Sequence, residues 1–291
     1  MQPYQESWAF EKVDIIYAPG DGEILVEICA TGICYTDIVL SSFPTEVSGI
    51  HFPKVMGHEG SVLLSFSSCY SCTQCQISHP AYCDTSAATN YVDRQKQMKI
   101  QVTGEELWSG SFGQSSFARH SIVHGASILD IRGLLHHPDE LKLFAPLGCG
   151  FQTGVGAIIN SANARWYDIV IVLGLGAVGM GSIMLRLTRL QAAKIRGCKM
   201  IVAVDKVETR LEIARRLVVI ETTGVPRLIE QGLQSTRKQG KLILIGVPPP
   251  GYAMKVDVVE HMNVSGFSTA LQMLYRLTIC LQVWSFYNWV Y

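Results

Sequence analysis

Four cysteines fall close together at Cys69, Cys72, Cys75 and Cys83, in the spacing C-x2-C-x2-C-x7-C. Four thiolates close a tetrahedron around zinc with no open position, so this set reads as a structural metal lobe. A second pattern, Gly174-Leu-Gly-Ala-Val-Gly179, follows the apolar run Ile169-Val-Ile-Val-Leu173 and opens a helical segment, the setting that the dinucleotide fingerprint requires. Gly174 permits the tight turn, Gly176 lets a pyrophosphate approach the backbone, and Gly179 lets helix and strand pack closely, so that the helix N-terminus faces the phosphates. The next apolar run, Met200-Ile-Val-Ala-Val204, is followed by Asp205. An acid there can accept from a ribose 2′-hydroxyl and would repel a 2′-phosphate, which favours NAD over NADP. Three more scattered residues, Cys34, His58 and Cys149, are weak signals one by one, because a lone cysteine is usually a small buried hydrophobe. Together they make a Cys2His set, which binds zinc and leaves the fourth position open, as catalysis needs.

The elements that must carry these groups suggest two domains. At 291 residues the chain exceeds the roughly 100–200 residues of one domain. Residues 1–155 read as short strands between turns, with Glu23 to Ala30 alternating after Pro19-Gly-Asp-Gly22, which implies a barrel-like or sandwich β domain. Residues 156–262 alternate apolar strands with helical segments. The strands are Asp168 to Leu173, Met200 to Val204, Val218 to Glu221 and Lys241 to Gly246; the helices are Ala177 to Ile195, Glu208 to Leu217 and Val225 to Ser235. That order implies a parallel sheet covered by helices. Residues 263–291 form an apolar tail interrupted by Gln272, Arg276, Gln282 and Asn288; an arginine near its centre is costly in a bilayer, so no membrane span is expected.

Lys plus Arg and Asp plus Glu balance at 24 each, which argues against a nucleic-acid or anionic-membrane partner. Charged residues make up 16%, below the roughly 25% of an average soluble domain, so much apolar surface has to be covered. The start Met1-Gln-Pro-Tyr-Gln-Glu-Ser7 lacks the basic and apolar features of a secretory leader, which points to the cytoplasm. In that reducing compartment the nine cysteines read as ligands rather than disulfides.

Gly32-Ile-Cys-Tyr-Thr-Asp37, Gly57-His-Glu-Gly60, the four-cysteine lobe, Ala145-Pro-Leu-Gly-Cys-Gly150 and the glycine fingerprint follow the order found in zinc-dependent medium-chain alcohol dehydrogenases, which this chain resembles over residues 20 to 250. Leu147-Gly-Cys-Gly-Phe-Gln-Thr-Gly154 and Ser65-Phe-Ser-Ser-Cys69 are most similar to the aryl-alcohol, benzyl-alcohol-type members. The resemblance implies an α/β protein with a GroES-like catalytic domain followed by a doubly wound Rossmann domain. It implies that Cys34, His58 and Cys149 hold a catalytic zinc, with Glu59 as a nearby or alternate ligand and Asp37 orienting His58. Thr36 would take the alcohol proton, and Thr153 and Arg210 would touch NAD. The implied reaction moves a hydride between a primary, aryl-type alcohol and NAD, the zinc favouring the alkoxide. Its partner is a small alcohol or aldehyde, and members of the family form homo-oligomers. The position of a proton-relay histidine found in many relatives is Val39 here, as is common among aryl-alcohol types.

The chain also departs from that pattern. Family members carry enough extra residues between the histidine ligand and the zinc lobe for about two more barrel strands. Leu185 to Gln191 lengthens the first Rossmann helix by seven residues, roughly 10 Å at 1.5 Å per residue. After Leu217 the segment Val218-Val-Ile-Glu221 arrives early, at the expense of the third strand and its helix, and beyond Met262 the likeness ends. The Rossmann domain is therefore incomplete. Two readings stay open: an active dehydrogenase, and a truncated zinc- and nucleotide-binding relative, or misassembled gene model, with weak or absent turnover.

Overall fold

Short runs of alternating apolar residues broken by glycine and proline give, among the described residues of the first part of the chain, the strands β1 (Val13–Ile15), β2 (Glu23–Glu27), β3 (Thr31–Gly32), β4 (Glu59–Gly60), β5 (Lys96–Ile100), β6 (Glu106–Trp108) and β7 (His120–His124). The computed structural model describes residues 8–42, 45, 50–61, 63–90, 96–131, 133, 135–183, 200–207, 209–210, 225–234, 242–246, 251–254 and 267–269. These fall into two compact units, one running to Cys149 and the other starting at Gly150.

In the first unit β1, β5 and β6 form an antiparallel sheet, and β2 pairs with β7 and β3 with β4, also antiparallel. Met98, Ile100 and Leu107 make a core with Val13, Ile15, Val55 and Ala118 packed on it. The β2 strand is shorter than the sequence suggests, ending at Glu27. Its neighbouring residues Ile24 and Leu25, which point to opposite faces, are 43% and 52% exposed.

The link from His58 to the cysteine lobe is short, and it does not behave as a surface loop. Leu63, Leu64, Ser61, Ser65, Ser67 and Ser68 are all buried, and buried backbone needs hydrogen-bond partners. Ser61 N donates to Ala30 O at 2.9 Å, Leu64 N to Ser127 O at 2.8 Å and Ser65 N to Gly148 O at 3.2 Å. Side chains complete the pairing. Asn90 Oδ1 accepts from Ser67 N and its Nδ2 donates to Ser67 O, both at 2.8 Å, while Gln114 Nε2 donates to Leu64 O at 2.6 Å. The link thus passes through the interior as a hydrogen-bonded part of the core.

The second unit opens with the helix Gly150–Gly156, which continues as a π-helix, Ala157–Ala162. Next come β8 (Ile169–Leu173), the helix Ala177–Ile183 and β9 (Met200–Val204), then the helix Pro226–Gln234, β10 (Leu242–Leu244) and β11 (Phe267–Thr269). β8 and β9 pair in parallel from Ile169↔Met200 to Leu173↔Val204, and β10 pairs in parallel with β11. The fold is α/β, with the β-rich unit first. The strand β11 lies within the apolar tail read from the sequence. The sequence-read strand Val218 to Glu221, the helix beyond Ile183 and the helix beyond Arg210 lie outside the described residues. No single described helix is long and apolar enough to cross a membrane.

One face of β8 and β9 packs through Val170, Val172, Ile201 and Ala203 on Ile158, Ala164 and Leu175. The helix Gly150–Gly156 crosses Ala177–Ile183 at very short range: a Cβ on Gly154 would run into the Val178 carbonyl and the Ser182 amide, and Ser182 Oγ donates to Gly154 O at 3.0 Å. On the other face Ile169, Ile171, Val202 and Val204 remain 56%, 44%, 39% and 41% exposed. The helix Pro226–Gln234 meets the far end of that face, where Gly232 lies beside Leu173 and Leu242. Gly154→Ala should force the crossing helices apart and cost about 1–3 kcal/mol, the usual range for overpacking. Thermal unfolding checks this; an unchanged midpoint would mean that the close crossing does not support the unit.

Candidate active site and metal centres

Cys34 sits in extended backbone just before the helix Tyr35–Ser41, and the third helical residue, Asp37, reaches back to cap it in the manner of a capping box. Asp37 Oδ2 accepts from Cys34 N at 3.3 Å. Its Oδ1 accepts from Gly57 N at 3.1 Å and from His58 Nδ1 at 3.0 Å. The carboxylate is fully buried, so one side chain joins the Cys34 segment to the His58 segment. With Nδ1 engaged, His58 is left with a buried Nε2 that has no hydrogen bond of ordinary geometry and whose neighbour is Cys34.

Glu59 comes from the β3–β4 pair, where it stands opposite Gly32; a Cβ on Gly32 would strike its carboxylate. Cys149 follows the 3-10 helix Pro138–Gly148, whose end is tied to the buried link through Gly148 O. The donor atoms of Cys34, His58, Glu59 and Cys149 all lie within 4.8 Å of one another. Zinc at about 2.0–2.3 Å from each donor of a tetrahedron needs donors about 3.3–3.8 Å apart, which this cluster can meet by small adjustments.

The electrostatics call for a cation. The hydrogen bond from Cys149 lowers the Cys34 thiol to about 3 against the effect of burial, with help from His58 and Thr36. Cys149 is pushed well up by Cys34, by burial and by the charges of Cys34 and Glu59. Burial pulls His58 down, but Asp37 and Cys34 outweigh it and raise the imidazole to about 9. Ionising both adjacent thiols here is therefore unfavourable without added positive charge, and a divalent ion would supply it. Thr36 sits in the first helical turn with its hydroxyl on the Cys34 sulfur.

Cys69, Cys72, Cys75 and Cys83 form a second cluster with all sulfurs within 4.8 Å. Cys69 lies 4.0 Å from Cys75 and 3.5 Å from Cys83, close to the edge of about 3.8 Å expected of a zinc–thiolate tetrahedron. Backbone amides of Cys69, Cys72 and Asp84 donate to these sulfurs at 3.3–3.5 Å. Ser71 lowers Cys69 to about 5, while burial and the neighbouring thiols push Cys75 up to about 12.

In the second unit the glycine turn is already shaped. Gly174 has φ +89°, a conformation that glycine alone adopts freely. A Cβ on Gly176 would meet nothing within 4 Å, so the approach that a pyrophosphate needs is open. Gly179 is buried in the helix that follows. Asp205 Oδ2 accepts from Leu175 N at 2.6 Å and Oδ1 from Val207 N at 2.8 Å, with Arg210 3.5 Å away. Burial raises its pKa, but those two amides and Arg210 outweigh it and hold the carboxylate below its usual range. Thr153 is buried in the helix Gly150–Gly156.

Three supporting side chains had no role assigned from the sequence, although Ser65 lies in a stretch that resembles the aryl-alcohol members. Gln114 is fully buried and bridges Gly60 N and Leu64 O, Ser65 Oγ donates to His58 O at 2.5 Å, and the Phe112 ring lies on the His58 ring. None of the three lies in a periodic pattern that would point to its partner.

No family model matches the chain. A probable alcohol dehydrogenase from a Pseudomonas species is 30% identical over 264 positions, covering 75% of this chain and 79% of that protein. The chain belongs to the zinc-dependent medium-chain alcohol dehydrogenases. Among solved members, the alcohol dehydrogenase zinc-binding domain protein of Burkholderia ambifaria superposes with a TM-score of 0.76 at 26% identity, covering 97% of this chain and 88% of that one. Benzyl alcohol dehydrogenase of Acinetobacter calcoaceticus superposes at 0.74, also 26% identical, covering 95% and 84%. The 264 aligned positions exceed the three quarters of this chain that they take in, so the Pseudomonas dehydrogenase carries stretches that have no counterpart here.

For an alcohol dehydrogenase of this family the donor sets fit zinc at both clusters. Purified protein should carry close to two zinc ions per chain by elemental analysis. Asp37→Asn, which turns an acceptor toward amide donors into a competing donor, should weaken one of the two ions about 10–100-fold and spare the other. Wild-type retention of both ions under chelator challenge would refute the role given to Asp37.

Proposed function

We propose that this chain oxidises a primary alcohol, of the aryl type, with NAD as hydride acceptor. The observation that carries the reading is the convergence of Cys34, His58, Glu59 and Cys149, from three separate segments, around the buried Asp37. In this reading Cys34, His58 and Cys149 hold the catalytic zinc and Glu59 is an alternate ligand, while Cys69, Cys72, Cys75 and Cys83 hold a structural one. A bound zinc would polarise the alcohol oxygen and lower its pKa.

The chain's own residues do the rest. Thr36 offers a hydroxyl beside Cys34 to take and pass on the alcohol proton. Asp37 keeps the proton on His58 Nδ1 and aims Nε2 at the metal. Gly174, Gly176 and Gly179 make room for the pyrophosphate, and Asp205 retains lone pairs for ribose hydroxyls. Thr153 and Arg210 are proposed as further cofactor contacts. We assign catalysis to the β-rich unit that runs to Cys149 and NAD to the unit that starts at Gly150. The aryl preference rests on the likeness to a benzyl alcohol dehydrogenase. The thiol-rich metal sites suit a reducing compartment, and we place the chain in the cytoplasm.

A second reading, metal and nucleotide binding with little turnover, is favoured by the missing stretches and by the exposed apolar side chains Ile169, Ile171, Val202 and Val204 on β8 and β9. NADH formation from benzyl alcohol by the zinc-loaded chain separates the two. Turnover near the enzyme median of about 10 per second selects the dehydrogenase; none, in protein with both metals bound, selects the other. In an active chain Asp205→Ser should erode the preference for NAD over NADP, and an unchanged ratio of kcat/KM values would refute the assignment of Asp205.

A further inference from the structure

The loop that bears His58 is clasped along its length by the segment Gly110–Phe117. Ser115 Oγ donates to Val55 O at 2.6 Å, Ser116 N donates to Gly57 O at 3.0 Å, and Gln114 Oε1 accepts from Gly60 N at 3.2 Å. Within this clasp Phe112 has φ +49°, between Gly110 at +74° and Gly113 at +71°. Glycine enters that region freely, whereas a bulky aromatic residue there is an outlier. Such a conformation persists only where the surroundings over-determine it.

What the strained backbone delivers is a ring. Phe112 is 8% exposed, and its centroid lies 4.3 Å from that of His58 with the planes 33° apart. A hydrogen bond at Nδ1 fixes one point of the imidazole edge but leaves the ring plane free to tilt about it. A second ring against its face removes the tilt, and with it the freedom in where the Nε2 lone pair points.

We infer that Phe112 is a positioning residue for the metal-binding imidazole: its ring sets the plane of His58 from the face, as Asp37 sets its rotation from the edge. The inference rests on the reading that His58 ligates a metal. It implies that loss of the ring loosens one metal ion and leaves the four-cysteine lobe unaffected.

The test uses the full zinc-loaded chain and follows release of each zinc to a coloured chelator, alongside the visible absorption of the cobalt-substituted protein. Phe112→Gly removes the ring while accepting the left-handed backbone without strain, so the clasp is kept; Phe112→Leu is the second, more conservative, removal. Both should release one of the two ions about 10–100-fold faster with a shifted cobalt spectrum. Phe112→Tyr should restore wild-type release and spectrum. Leu107→Ala, in the core of the β5–β6 sheet, controls for general loss of stability and should leave the spectrum unchanged. Wild-type release and spectra in both ring-less variants would overturn the inference, as would an equal effect of Leu107→Ala. A wild-type chain that binds only the lobe's zinc would instead overturn the metal-site reading, and this inference with it.

Discussion

The buried carboxylate of Asp37 is the constraint on which the site depends. Removing a carboxylate from water costs several kcal/mol unless its oxygens are fully engaged. Here the two oxygens accept from Cys34 N, Gly57 N and His58 Nδ1, and hydrogen bonds to a charged group contribute about 1.5–3 kcal/mol each. The charge is tolerable only when the Cys34 helix and the His58 loop are both in place. The same bonds that allow Asp37 to be buried therefore bring two donors together and orient one of them.

Around that anchor the site is supported by neutral polar side chains. Gln114, Asn90 and the serines of the link after Gly60 satisfy backbone groups that a short connection has carried into the interior. Networks of this kind stiffen a site when every member is paired. Cys149, reached through the Ser65 to Gly148 bond, is held by the same arrangement. The nucleotide turn follows a similar logic, since Asp205 accepts from Leu175 N and holds the turn in shape.

The features legible in the sequence were those whose chemistry is local. The cysteine lobe and the glycine turn have their donors within a few residues of each other, so spacing alone describes them. Cys34, His58 and Cys149 were legible only as a set, because no periodicity connects them, and Glu59 entered only through the family resemblance. The strands β8 and β9 fall within a residue of their sequence limits, and their unbroken apolar runs imply cover on both faces; among the described residues the packed core lies on one of them. Gly150 to Val155 reads from the sequence as the end of the first domain but belongs to the second unit, where Gly154 meets Val178 and Ser182. Phe112, Gln114 and the buried link were not legible, because their roles come from partners distant in the chain.

The bare rows on β8 and β9 have a meaning outside the molecule. Quality-control machinery distinguishes finished from unfinished chains by exposed β-branched and aliphatic side chains, and Ile169, Ile171, Val202 and Val204 present such a surface. Side chains of that kind at the surface of a folded chain are what a chaperone or protease samples. For a chain of marginal stability, abundance follows such triage as well as the free energy of folding.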